Sequence, residues 1–250
     1  LSRGPSAAAP RFSAVFYDLD GTLIDSRSGI EASLRIALER YAPDSEPPVL
    51  DGLLGRPLAD LLRGVLPDLD PAEMPTLAAT FIEQYDTTGW RSSRPYPGVP
   101  EVLRELADAG VRQFVLTNKR SRPARAILAA HGLAPLLEAT YALDAIDPPF
   151  PDKAAMAKAA CAAHVAPGER LLVVGDSADD RRMAEACGAV FAAAAWGYGD
   201  VAAAATTGDG EPDGVAEGAP RAPRAEALVL WQATEIVDLV VSGDADGGRR

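Results

Sequence analysis

The chain has 250 residues, 48% of them hydrophobic and 24% charged, the make-up of a globular protein with room for a substantial core. Its formal net charge of −12 excludes a general binder of nucleic acid or anionic membranes, since both need a basic surface. The two cysteines, Cys161 and Cys187, fall in apolar helical patterns and read as core residues, so neither a disulfide framework nor a Cys-x-x-Cys site is expected.

Residues 1–11 are small and proline-containing, a loose tail without a signal-peptide layout. No stretch reaches the length of a membrane span, and a cytoplasmic protein is expected. The first element is an apolar run over residues 13–17, which reads as a buried parallel strand. It ends in Asp18 and Asp20, followed by Gly21, where the backbone can turn sharply, and Thr22. Ligands of an open α/β sheet sit just beyond the carboxyl ends of its strands, so the two carboxylates fall where chemistry is usually done.

Ser28 and Glu31 form a capping-box pattern, and Ile30, Leu34, Leu38 and Tyr41 mark one face of the helix that follows. From Tyr41 to about Trp90 the strand pattern disappears. Leu53, Leu54, Leu58, Leu61, Leu62 and Leu66 predict one helix, and Leu77, Phe81 and Tyr85 another, with prolines between them. Residues 27–91 are therefore expected to form a small helical cap domain inserted after the first strand, where it could fold over the site as a lid.

The strand pattern then resumes. A helix through Val102, Leu103 and Leu106 stops at Gly110, and a second core strand over 111–116 runs into Thr117-Asn118-Lys119. A helix over about 122–131, a short strand over 139–143 and an alanine-rich helix over 153–163 follow. A fourth strand over 171–174 ends in Gly175-Asp176-Ser177-Ala178-Asp179-Asp180, and a helix then leads to a fifth strand over 190–195. Residues 203–222 lack periodicity and read as a mobile loop. Residues 227–230 read as a last edge strand, Thr234 as the cap of a final helix, and 243–250 as a frayed tail. Strands alternating with helices predict an α/β fold, a doubly wound, Rossmann-like parallel sheet built from residues 12–26 and 92–241.

All carboxyl ends of a parallel sheet lie on one edge, so Asp18 and Asp20, Thr117 and Asn118, and Asp176 and Asp180 can converge, with Lys153 at a helix start between the last two pairs. Taken singly, each has a plainer role: an Asp-Gly turn, a strand-end threonine, helix-dipole partners, a surface lysine. Taken together, their order and spacing resemble the four motifs of the haloacid dehalogenase-like hydrolases, from about residue 12 to 200. Within that superfamily the chain is similar to phosphoglycolate phosphatase-type enzymes. The likeness rests on Asp18-Leu19-Asp20-Gly21-Thr22-Leu23-Ile24-Asp25-Ser26, Tyr96-Pro97-Gly98-Val99, Leu116-Thr117-Asn118-Lys119, Val174-Gly175-Asp176-Ser177 and Ala195-Trp196-Gly197-Tyr198-Gly199.

The resemblance implies an Mg²⁺-dependent phosphatase acting through an aspartyl-phosphate on a small phosphorylated metabolite, phosphoglycolate by analogy. With the charge setting aside nucleic-acid and membrane partners, the chain is expected as a monomer or homodimer. Asp18 would be the nucleophile and Asp20 the general acid/base. Asp18, the backbone carbonyl of Asp20 and Asp176 would hold Mg²⁺, with Asp180 a more remote ligand. Thr117 with the Asn118 amide would clamp phosphate, and Lys153 would orient Asp18 and neutralise phosphoryl oxygens. Relatives commonly carry Lys-Pro-x-Pro before that helix. Here the segment is Asp147-Pro148-Pro149-Phe150-Pro151-Asp152-Lys153, so Lys153 is expected to act from a shifted position, with Lys119 as the fallback. Arg56 is either a solvated cap residue or one that reaches an anionic substrate. His131 and His164 read as surface or packing residues. Two other readings are a sugar-phosphate mutase or other phosphotransferase on the same core, and a non-catalytic module that kept the fold.

Overall fold

In the computed structural model the described chain comprises residues 9–39, 41, 48–199 and 228–241, so the readings of 1–8, 203–222 and 243–250 fall outside it. Its elements run β1 (Ala14–Tyr17), β2 (Ile24–Asp25), α1 (Arg27–Leu38), α2 (Leu58–Val65), α3 (Met74–Thr87), β3 (Arg94–Pro95), α4 (Val99–Asp108), β4 (Arg112–Thr117) and α5 (Ser121–Ala130). They continue as β5 (Ala139–Ala142), α6 (Lys153–His164), β6 (Leu171–Gly175), α7 (Ala178–Cys187), β7 (Val190–Ala194), β8 (Leu228–Leu230) and α8 (Glu235–Val241).

A strand with no polar face has to sit inside a sheet covered on both sides. β1 does so: it is buried throughout and pairs in parallel with β4 and β6. The sheet has six strands in the order β5-β4-β1-β6-β7-β8, all parallel. Alternation along β1 divides the core. Val15 and Tyr17 meet Leu103 of α4, Ile127 of α5 and Ile236 of α8, whereas Ala14 and Phe16 meet Met156 of α6 and Met183 of α7. Phe16 lies opposite Phe114 in register, and their rings pack edge to face at 5.3 Å. The buried Tyr17 hydroxyl donates to Gln113 Oε1 (3.1 Å), and Gln113 Nε2 donates to the carbonyls of Leu103 and Leu136, so each polar atom of this core pair has a partner.

α1, α2 and α3 gather a third apolar cluster, which includes Ile30, Leu34, Leu62, Leu77, Phe81 and Tyr85. The chain passes from β1 to this unit through β2 and returns through β3, short strands paired antiparallel with Ile24 opposite Pro95 and Asp25 opposite Arg94.

Several expectations need correction. The capping box at Ser28 and Glu31 does not form: α1 starts at Arg27 with Ser26 as its N-cap. Ser28 Oγ instead donates to the Ser92 carbonyl, and Glu31 pairs with Arg27 at 3.7 Å. The leucine run 53–66 is helical only over α2, because Gly52 and Gly55 adopt positive φ and Pro57 precedes the helix. Cys161 and Cys187 are free but only partly buried, on the rim of the second cluster. At the N-terminal edge, the Arg11 amide donates to the Val240 carbonyl (2.7 Å), so the loose tail ends before residue 11. α8 begins directly after Thr234, whose carbonyl accepts the Val237 amide. His131 and His164 are packing residues: His131 Nε2 lies 2.9 Å from the Ser93 carbonyl, and the His164 ring packs at a tilt against Phe114, 4.7 Å between centroids. No helix among the described residues is long and apolar enough to cross a membrane.

Candidate active site

Asp18 follows β1, Thr117 ends β4 and Asp176 follows β6, so three adjacent parallel strands deliver them to one edge. Lys153 opens α6 and Asp180 lies in the first turn of α7. Asp152 N-caps α6 by accepting the Ala155 amide, which sets the angle at which Lys153 enters. Ser177 and Asp180 form a capping box at the start of α7: Asp180 Oδ2 accepts from the Ser177 amide (3.0 Å) and hydroxyl (2.6 Å). This leaves Asp180 Oδ1 turned toward Lys153.

The Lys153 ammonium is 2.5 Å from Asp18 Oδ1 and 2.5 Å from Asp180 Oδ1, and all three residues are buried. Burial alone would lower the lysine pKa, but Asp18 and Asp180 outweigh it and raise it. Asp18, Asp176 and Asp180 each bring a carboxylate oxygen within 4.8 Å of the others. Burial, and then the neighbouring carboxylates Asp180 and Asp176, push the Asp18 carboxyl well above its usual range, against the pull of Lys153. Asp176 is pushed up to about 6, first by burial and then by Asp180.

Asp176 is held by one oxygen. Its Oδ2 accepts the amides of Tyr198 (2.6 Å) and Gly199 (3.1 Å). Its Oδ1 is buried without a partner among the described residues. The cradle is tight: a Cβ at Gly21 would collide with the Asp176 carboxylate, and one at Gly199 with its backbone carbonyl. An orphaned buried oxygen beside two further carboxylates, which alone pair with Lys153, fits a hard divalent cation that takes oxygen ligands.

Asp20 stands apart from this cluster. Both of its oxygens accept from Lys119 Nζ at 2.9 Å, and Oδ1 also accepts from the Ser26 hydroxyl at 2.7 Å. Lys119 also sits 4.5 Å above the Tyr85 ring of α3, a cation–π contact that ties the sheet edge to the helical unit. The two lysines treated as alternatives for one role therefore serve different aspartates. Thr117 is buried, and its Oγ1 accepts the Lys119 amide (3.0 Å). The Asn118 side chain donates to the Gly55 carbonyl and to Asp179, both at 3.2 Å. Arg56 is exposed on the loop before α2. Asp18, Asp20, Thr117, Asn118, Lys119 and Arg56 all line one cavity of about 80 Å³.

Two contributors had no role from sequence. The Tyr198 hydroxyl accepts the amides of Ser26 (2.6 Å) and Arg27 (3.1 Å), capping α1, and donates to Asp25 Oδ1 (2.7 Å). Its own backbone amide grips Asp176, so one residue joins the carboxylate cluster to the base of the helical unit. Ser26, committed to Asp20, is the other.

A pH experiment checks the crowding of these carboxylates. Without a cation, native Asp176 keeps its proton up to about pH 6, whereas the unfolded chain loses it near about pH 4. That stabilising contribution is complete below about pH 4 and is lost as pH rises through about 6. In EDTA the thermal midpoint is therefore expected to fall between pH 5 and pH 7.5. Asp176→Asn should flatten the fall, and Mg²⁺ should raise the midpoint more at pH 7.5 than at pH 5.

A six-stranded parallel sheet with aspartates at the carboxyl ends of neighbouring strands defines an α/β enzyme of the doubly wound, Rossmann-like class, with its site on the strand-end edge. The family model for haloacid dehalogenase-like hydrolases matches residues 15–194. A phosphoglycolate phosphatase of Caulobacter vibrioides is 34% identical over 192 residues, 74% of this chain and 79% of that protein. Tyrosine-protein kinase PtkA of Mycobacterium tuberculosis is 32% identical over 186 residues, 74% of this chain and 62% of its own length. The solved structure of a haloacid dehalogenase-like hydrolase from Streptococcus pneumoniae shares the fold with a TM-score of 0.67 at 23% identity, covering 75% of this chain and 87% of that one. The chain belongs to the haloacid dehalogenase-like hydrolase family, and within it takes its place among the phosphoric monoester hydrolases.

Proposed function

We propose that the protein is an Mg²⁺-dependent phosphatase that hydrolyses a small phosphorylated metabolite through an aspartyl-phosphate on Asp18. One observation supports this reading most: three buried carboxylates crowd together, Lys153 pairs with only two of them, and Asp176 Oδ1 is left without a partner among the described residues. Asp18, Asp176 and Asp180, with the Asp20 carbonyl, would hold Mg²⁺, whose charge offsets the repulsion between an anionic nucleophile and an anionic phosphoryl group.

Lys153 occupies Asp18 Oδ1, which leaves Oδ2 to attack phosphorus. The new Asp18–phosphorus bond forms as the ester bond breaks, and Asp20, which has to enter this step protonated, gives that proton to the departing oxygen. Asp20 then takes a proton from the water that releases phosphate and restores Asp18. Ser26 and Lys119 fix the Asp20 carboxylate at the cavity wall for both steps. Thr117 and the Asn118 amide would clamp the phosphoryl oxygens, residues 27–91 would close over the cavity as a cap, and Arg56 would meet the substrate from it.

The test is phosphate release from a panel of phosphate monoesters that includes 2-phosphoglycolate, the substrate in the names of several relatives. Release with Mg²⁺, none with EDTA and recovery on adding Mg²⁺ back are expected. No release from any member by the folded protein would overturn the reading. The relatives named tyrosine-protein kinase favour a second reading, phosphoryl transfer to an acceptor other than water. It predicts that the phosphoryl group appears as a new ester on an added acceptor alcohol, with inorganic phosphate released only in traces with or without that alcohol.

A further inference from the structure

We infer that the alcohol released at this site is apolar and ring-bearing, so that the preferred substrate is a benzyl-type phosphate monoester and not the phosphate of a short hydroxy acid. This rests on the phosphatase reading above and adds the class of leaving group. The cavity that opens on Asp18 and Asp20 has two chemically different ends. The sheet edge supplies carboxylates, Thr117 and Asn118; the helical unit faces them with Ile30, Leu58, Leu61, Phe81 and Tyr85. Four of these five are buried, and Leu58, the first residue of α2, is half-buried. The Phe81 and Tyr85 rings stack on each other at 5.6 Å with 14° between their planes, so this end of the lining is aromatic as well as aliphatic. A ring placed against it gains burial and aromatic contact together.

The cations of the lining support the same choice. A short hydroxy acid carries a carboxylate close to its ester oxygen, and that carboxylate needs a counter-charge once it is taken out of water. Lys119 is already committed to both oxygens of Asp20 and to the Tyr85 face. Arg120 is committed to Asp86. Arg56 alone among the lining cations has no charged partner among the described residues, and it is exposed at the surface. A carboxylate against this wall would have only the exposed Arg56 to pair with, whereas an apolar ring needs no partner.

The experiment compares kcat/KM for benzyl phosphate and 2-phosphoglycolate with Mg²⁺ present. Both release a primary alcohol, so the comparison reads the pocket more than leaving-group chemistry. Benzyl phosphate is expected to win by about tenfold or more, mainly through KM, the scale on which an apolar pocket discriminates. Leu58→Lys puts a cation on the wall, which costs a ring its apolar contact and gives the carboxylate of 2-phosphoglycolate a counter-charge. It is expected to lower the ratio of the two kcat/KM values by about tenfold or more. A loss of structure would lower both values together and leave their ratio alone. Equal use of the two esters, a preference for 2-phosphoglycolate, or an unchanged ratio in a Leu58→Lys variant that melts like the parent overturns the inference and leaves the phosphatase standing. Hydrolysis of neither ester by the folded protein overturns both.

Discussion

Asp18→Asn is expected to lower kcat for phosphate release by about 10⁴-fold or more, the scale of removing a covalent nucleophile, while the sheet stays folded. The amide has nearly the shape of the carboxylate, and its oxygen can still accept from Lys153, so the geometry at the end of β1 survives. What is lost is the charged oxygen that attacks. The stability readout has its own sign. Burial and the nearby Asp180 and Asp176 already push the Asp18 carboxyl well above its usual range, so its ionised form is disfavoured in the fold. A neutral Asn relieves that crowding, and in EDTA at pH 7.5 the variant should melt no lower than the parent. Single-turnover phosphate release and a thermal melt on one preparation check both parts. A residual rate within tenfold of the parent would place the nucleophile elsewhere.

Lys153→Met should be costly in both measures. The methionine keeps the length of the side chain but leaves Asp18 and Asp180, each 2.5 Å from the ammonium, buried without a cation. Breaking a buried pair from one side typically costs about 3–5 kcal/mol, because the charge left behind has no partner. The rate should fall by about 10²–10³, the usual scale for removing one preorganised electrostatic contact to a reacting group. Urea unfolding in EDTA gives the first number and kcat the second. Added Mg²⁺ should restore part of the stability, since a divalent cation supplies the missing charge to the same carboxylates. A variant as stable as the parent would mean that Asp18 and Asp180 do not depend on Lys153.

The sheet and its carboxylates were legible because both follow short-range rules. β1 and β6 are continuous apolar runs, and the residue that follows each run has to fall at the sheet edge; Asp18 and Asp176 needed nothing more. Lys153 was readable as the start of a helix, although its partners lie 135 and 27 residues away. Tyr198 was not readable. It caps α1 from 172 positions away, through an oxygen that replaces the side-chain cap Ser26 gives up by bonding to Asp20. The failed Ser28–Glu31 prediction has the same origin: a distant phenol satisfies the helix start, so α1 begins before its local signal. The capping box at Ser177 and Asp180 was within reach of sequence, because the spacing is local and only the shorter acid disguises it.

The neck formed by β2 and β3 bears on how such a chain can change over generations. The strand pair places the exit and the return of the backbone side by side, with Tyr96 donating to the Leu23 carbonyl immediately below it. Whatever lies between residues 26 and 93 can lengthen, shorten or be exchanged at the modest entropic cost of closing a different loop, and the register of β1 against β4 is unaffected. The aspartates and Lys153 belong to the part that stays still, while the apolar wall of the cavity belongs to the part that is free to vary. A lineage built this way can change the alcohol it recognises without reopening the chemistry at phosphorus.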